Sequence, residues 1–137
     1  MSRMNVEIVR RQIEFFNRRD PDAMASDWHP EGTFEPASVA PVEGRPYVGA
    51  DGIRTFLNEY AATWEESRLD YAEFIDLGER VLALGRLEVR HRESQIPISR
   101  PHAMIYEFRD GLIVRLRSYL DHAEARIAAG VPAAQGP

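Results

Sequence analysis

The sequence predicts an α+β domain in which helices come first and antiparallel strands follow. Three observations carry this. Apolar residues recur at helical spacing through the first part of the chain, to about Trp64. From Leu69 onward they alternate at strand spacing. Two dipeptides, Gly78-Glu79 and Asp110-Gly111, punctuate the alternating part as hairpin turns, Asp-Gly being a strong hairpin signal. A strongly bent sheet covered on one face by helices encloses an apolar pocket, so a small apolar molecule is the expected partner.

Val6, Val9, Ile13 and Phe16 form one apolar stripe, with Arg10, Arg11, Glu14 and Arg18 outside it, and predict a first helix. Asp20-Pro21 is a cap followed by proline at the first helical position, so a short second helix is expected from there to about Trp28. His29-Pro30-Glu31-Gly32 is expected to end it, with His29 as a surface residue at the helix end, and Thr33-Phe34-Glu35 to begin an extended segment. Residues 36–49 carry Pro36, Pro41, Pro46, Gly44 and Gly49 and read as a long loop, of a length that often serves as a lid or a binding loop. A third helix is expected to open near Ala50-Asp51, with Ile53, Phe56, Leu57, Tyr60 and Trp64 on one face.

Strands are expected over Leu69 to Leu77, Arg80 to Arg92, Ser99 to Arg109 and Leu112 to Leu120. Ala123 to Ala129 reads as a last helical turn closed by Gly130. The 137 residues make one domain, taken as residues 1–130, and the Gly/Pro-rich residues 131–137 read as a flexible tail.

The net charge of −5 argues against nucleic acid and against an anionic membrane surface as partners. With no cysteine, there is no disulfide, thiolate nucleophile or Cys-ligated metal. His29, His91, His102 and His122 show no metal-ligand spacing, so no metal is expected. No GxSxG, GxGxxG or GxxxxGK[ST] occurs, and no cofactor is expected. The charged opening Met1 to Glu7 does not suit a signal peptide, and no apolar run is long enough to span a membrane, so a cytoplasmic protein is the expectation.

Several short motifs occur in order: Phe16-Asn17-Arg18-Arg19-Asp20, Trp28-His29-Pro30-Glu31-Gly32-Thr33-Phe34, Gly49-Ala50-Asp51-Gly52-Ile53-Arg54-Thr55-Phe56, Phe108-Arg109-Asp110-Gly111-Leu112-Ile113 and Tyr119-Leu120-Asp121. In order and spacing they resemble the SnoaL-like polyketide cyclase and ketosteroid isomerase branch of the nuclear transport factor 2 superfamily. The resemblance implies a cone-shaped barrel, with three N-terminal helices on a strongly curved, mostly antiparallel sheet around a pocket. It also implies a homodimer. The ketosteroid isomerase positions for tyrosine, base and second acid match Gln12, Pro36 and Met104, which do not supply that proton chemistry. The limonene epoxide hydrolase and SnoaL positions match His102, Met104 and Ser118, with Asp121 as the aspartate if the match slips by three.

Parity supports the grouping. His102, Met104, Tyr106 and Phe108 share one strand face, and Leu116, Ser118 and Leu120 share a face of the next. His102 is the leading catalytic candidate, because imidazole exchanges protons near neutral pH; its bland alternative is a hydrogen-bonded residue of the pocket wall. Ser118 is the second polar exception on these faces and a second catalytic candidate, with Ser118 or Tyr106 helping His102 as a hydrogen-bond donor. Asp121 is either a base or the N-cap of the last helix, with Glu124 completing a capping box. Trp28, Phe34, Phe56, Tyr60, Trp64 and Tyr106, with Met104, Leu116 and Leu120, are the expected substrate-binding set, the alternative for such aromatics being plain core. Arg86 belongs either to a solvated strand face or to the pocket. Two functions remain open: an enzyme performing acid/base isomerisation, cyclisation or hydration on a small apolar carbonyl or polycyclic substrate, and a non-catalytic homodimeric ligand-binding or assembly domain.

Overall fold

A computed structural model describes residues 2–37 and 46–132. Most of the expected loop 36–49 and most of the expected tail lie outside the described residues. The order of elements is α1 (Ser2–Asn17), α2 (Pro21–Ala25), β1 (Trp28–Glu35), β2 (Tyr47–Val48), α3 (Gly49–Thr63), β3 (Trp64–Asp76), β4 (Arg80–His91), β5 (Pro97–Arg109), β6 (Leu112–Tyr119) and α4 (His122–Ala129).

The strands form one six-stranded sheet in the order β2-β1-β6-β5-β4-β3. Every pairing is antiparallel except β1 with β6, which is parallel. Register shifts at Trp28/Thr33, Trp64/Glu66, Tyr71/Glu73 and Glu107/Phe108 bend the strands, as bulges do, and curl the sheet into a cone. Helices α1 to α3 cover its concave face. The main core lies there, with Val9, Ile13 and Phe16 of α1 against Ile53 and Phe56 of α3 and Val81, Ala83 and Tyr106 of the sheet.

Local signals account for several ends. Asp20 caps α2 through Ala23 N, with Pro21 at the first turn. Asp110 and Gly111 both adopt positive φ, 53° and 77°, the mirror-type turn that joins twisted strands. Gly130, at φ 74°, closes α4 in the left-handed conformation. The free edge of β3 is covered by side chains from α1 and its exit. Asn17 both donates to Leu69 O and accepts from Leu69 N, while Arg19 donates to the carbonyls of Trp64 and Glu65.

The structure corrects the expected course of residues 26–32. Helix α2 ends at Ala25, and Trp28-His29-Pro30-Glu31 already belongs to β1. The cause is non-local: Ile113 N donates to Asp27 O, and Trp28 pairs with Ile113 of β6. His29 is therefore a half-buried strand residue, not a helix end. Helix α3 stops at Thr63, and Trp64 begins β3 rather than extending the apolar helix face. The last helix packs on the convex face, where Ala125 and Ala129 meet Leu82, Leu84, Ala103 and Ile105.

Candidate active site

Alternation along β5 turns His102, Met104 and Tyr106 to the concave face. Met104 pairs with Ser118 and Tyr106 with Leu116, so β6 adds its two residues to the same wall. Phe34 of β1, with Phe56 and Tyr60 of α3, closes the far side. Phe34 and Phe56 meet edge to face at 4.6 Å. Gln12, Phe16 and Pro36 are among the other residues of the lining. The enclosed free volume is about 40 Å³, room for roughly two or three waters, against about 150 Å³ in a cavity that binds benzene.

Gln12 is fully buried and fully used. Its amide nitrogen donates to Met24 O and to Asp27, and its oxygen accepts from Trp28 Nε1. Asp27 in turn holds Arg11 by two hydrogen bonds, of 2.9 and 2.5 Å, which keeps its buried charge paired. The carboxylate thus sits behind the lining, not in it.

His102 is 6% exposed. Its Nδ1 lies 2.5 Å from the Tyr71 hydroxyl, and among the described residues its Nε2 has no partner. Burial, with a smaller contribution from nearby His122, lowers its pKa to about 4, so the imidazole is neutral at physiological pH. Burial raises the pKa of Tyr71, Tyr60 and Tyr106, so these phenols stay protonated. The Tyr106 hydroxyl reaches only the Met104 sulfur, 3.6 Å away, a weak acceptor. Ser118 Oγ accepts from Ala37 N at 2.8 Å, which leaves its own proton to donate. The polar groups of the lining are therefore neutral.

The structure brings together His102, Ser118, Phe34, Phe56, Tyr60, Met104, Tyr106 and Leu116 at the cavity. It does not bring in Trp28, Trp64, Leu120 or Asp121. Trp28 is core, held through Gln12; Trp64 packs between Tyr60 and His91. Leu120 lies past the end of β6. Asp121 is exposed and accepts from Ala123 N and Glu124 N as the N-cap of α4. Arg86 lies on the solvated face, donating to Ser99. Tyr71 is the residue that sequence reasoning missed; the signal for it was Gly85, a glycine inside a strand. A larger open groove of about 690 Å³ along β3, β4 and β5 contains none of the expected site residues. Among the described residues no His, Asp and Glu cluster suits a metal, and no helix is long and apolar enough to cross a membrane.

The family model described as a SnoaL-like domain matches residues 9–116. An NTF2-like protein of unknown function from Burkholderia pseudomallei is 25% identical, with a TM-score of 0.78 over 90% of this chain and 95% of that one. TerC, co-crystallised with polyporic acid, is 24% identical, with a TM-score of 0.75 over 88% and 94%. A provisionally assigned polyketide cyclase from Xanthomonas campestris is 22% identical, with a TM-score of 0.73 over 90% and 94%. The last two share the fold. No curated protein matches the chain.

Proposed function

The chain belongs to the SnoaL-like domain family, and from that premise we propose that it is a cofactor-independent enzyme that isomerises, cyclises or hydrates a small apolar carbonyl compound. One observation carries this reading. A neutral imidazole, His102, borders an apolar cavity with one nitrogen held by the protein and the other, among the described residues, unpartnered. An enclosed apolar wall strengthens each hydrogen bond made inside it. His102 is the group that acts on the substrate oxygen, with the hydroxyls of Ser118 and Tyr106 as further donors. Met104 is the most adaptable residue of the lining, and its displacement gives a ring the room that the present volume lacks. The similarity to a provisionally assigned polyketide cyclase, and to a protein crystallised with polyporic acid, supports an organic ligand of this kind.

The test is turnover of a panel of cyclic and polycyclic carbonyl compounds by the protein and by His102→Ala. The expected loss is at least tenfold, about 1.4 kcal/mol of transition-state stabilisation. Equal turnover overturns the reading. A second reading, a non-catalytic ligand-binding or assembly domain, is favoured by the absence of any carboxylate among the described residues of the lining and by the small free volume. It is distinguished by recovering a bound ligand unaltered after long incubation. Either reading carries a homodimer with it on family grounds.

A further inference from the structure

Tyr71 stands on β3 and His102 on β5, and Gly85 of β4 lies between them. Tyr71 pairs with Gly85, and Gly85 pairs with His102. The Tyr71 ring crosses over Gly85 because no side chain is there. A Cβ at that position would stand 2.6 Å from two Tyr71 ring carbons and 2.4 Å from Asp70 O. The ring meets the imidazole edge to face, 6.0 Å between centroids, with the hydroxyl on Nδ1. Among the described residues that hydroxyl has no other partner, and Nε2 of His102 has none. A protonated phenol facing a neutral imidazole is satisfied when O–H donates to a bare Nδ1. The imidazole proton then resides on Nε2.

We propose that Tyr71 is a positioning residue that locks His102 as its Nε2–H tautomer, so that His102 meets a ligand as a neutral hydrogen-bond donor and not as a base. This rests on the reading of the cavity as the reactive site and specifies its chemistry. The ligand class it selects carries an acceptor oxygen, a carbonyl or an ionised enol, beside His102. No proton leaves the imidazole. Its loss would create an imidazolate, or draw the Tyr71 proton and leave a buried phenolate, and burial opposes both charged forms. The N–H instead donates to that oxygen and stabilises its negative charge; because the described lining holds no carboxylate base, the proton displaced in forming an enolate passes to water in the cavity. Gly85 is part of the device, since any larger residue displaces the tyrosine that sets the tautomer.

The experiment is long-range 1H–15N NMR on the 15N-labelled full chain at pH 7, with the His102 signals identified by their loss in His102→Gln. The expected spectrum shows a protonated Nε2 and a bare Nδ1. In Tyr71→Phe the Nδ1 signal shifts and the second tautomer gains intensity. A protonated Nδ1 in the unmodified protein overturns the inference, as does a Tyr71→Phe spectrum identical to it. If Tyr71→Phe does not fold, the unmodified protein alone decides. A bare Nε2 in a protein whose turnover still depends on His102 overturns this inference and leaves the proposed function standing. Undiminished turnover by His102→Ala overturns both.

Discussion

His102 is held neutral by the wall around it, and that has a price in acid. Its folded-state pKa of about 4 lies below the ordinary 6.5, so between those values the unfolded chain binds more protons. Stability is complete above pH 6.5 and falls as pH drops toward 4, by up to about 3 kcal/mol from this residue. Urea unfolding at several pH values across that window is expected to show a shallower decline for His102→Gln; equal slopes would contradict the burial argument. Met104 tests the cavity itself. Met104→Ala is expected to cost about 2–5 kcal/mol and to let benzene raise the melting temperature of the variant more than that of the parent. His102, Met104, Tyr106, Leu116 and Ser118 were legible because strand parity depends on nothing but the sequence. Tyr71 was not, because its contact spans three strands and depends on the register of β4.

Elements with strong end signals were legible, and those defined by distant pairing were not. The Asp110-Gly111 turn, the Asp20-Pro21 start and the Gly130 stop each follow from the conformational preference of one or two residues. β1 begins at Trp28 only because β6, far along the chain, supplies its partner. Pro30 and Gly32 there look like helix-ending residues until that partner is known. Helix α4 tests a local prediction. Asp121→Ala is expected to destabilise the protein by about 1 kcal/mol through the lost cap, with turnover unchanged when assayed beside the parent. A large loss of turnover would return Asp121 to the reaction. Helix α4 also touches the site from behind: His122 Nε2 donates to the backbone carbonyls of Gly85 and His102, 2.9 and 3.1 Å away. Gly85→Ala therefore strikes a point held from both faces. It is expected to destabilise by about 1–3 kcal/mol through overpacking and to lower turnover with it.

For the whole molecule, the cone and its pocket were foreseen by combining helical and strand periods with family resemblance, while the parallel pairing of β1 with β6 within the sheet was not. Light scattering at micromolar concentration is expected to give twice the chain mass of 15.6 kDa; a value near 15.6 kDa would exclude the homodimer. The parallel pair also sets a timetable. At about 5–20 residues per second a ribosome releases β1 about 80 residues, or roughly 4–16 s, before β6. Through that interval Trp28 and Phe34 belong to a strand whose main neighbour does not yet exist. The nascent chain thus leaves these two aromatic side chains without that neighbour until Leu112–Tyr119 emerges, and the pocket, to which β6 supplies Leu116 and Ser118, takes shape only at that late stage of synthesis.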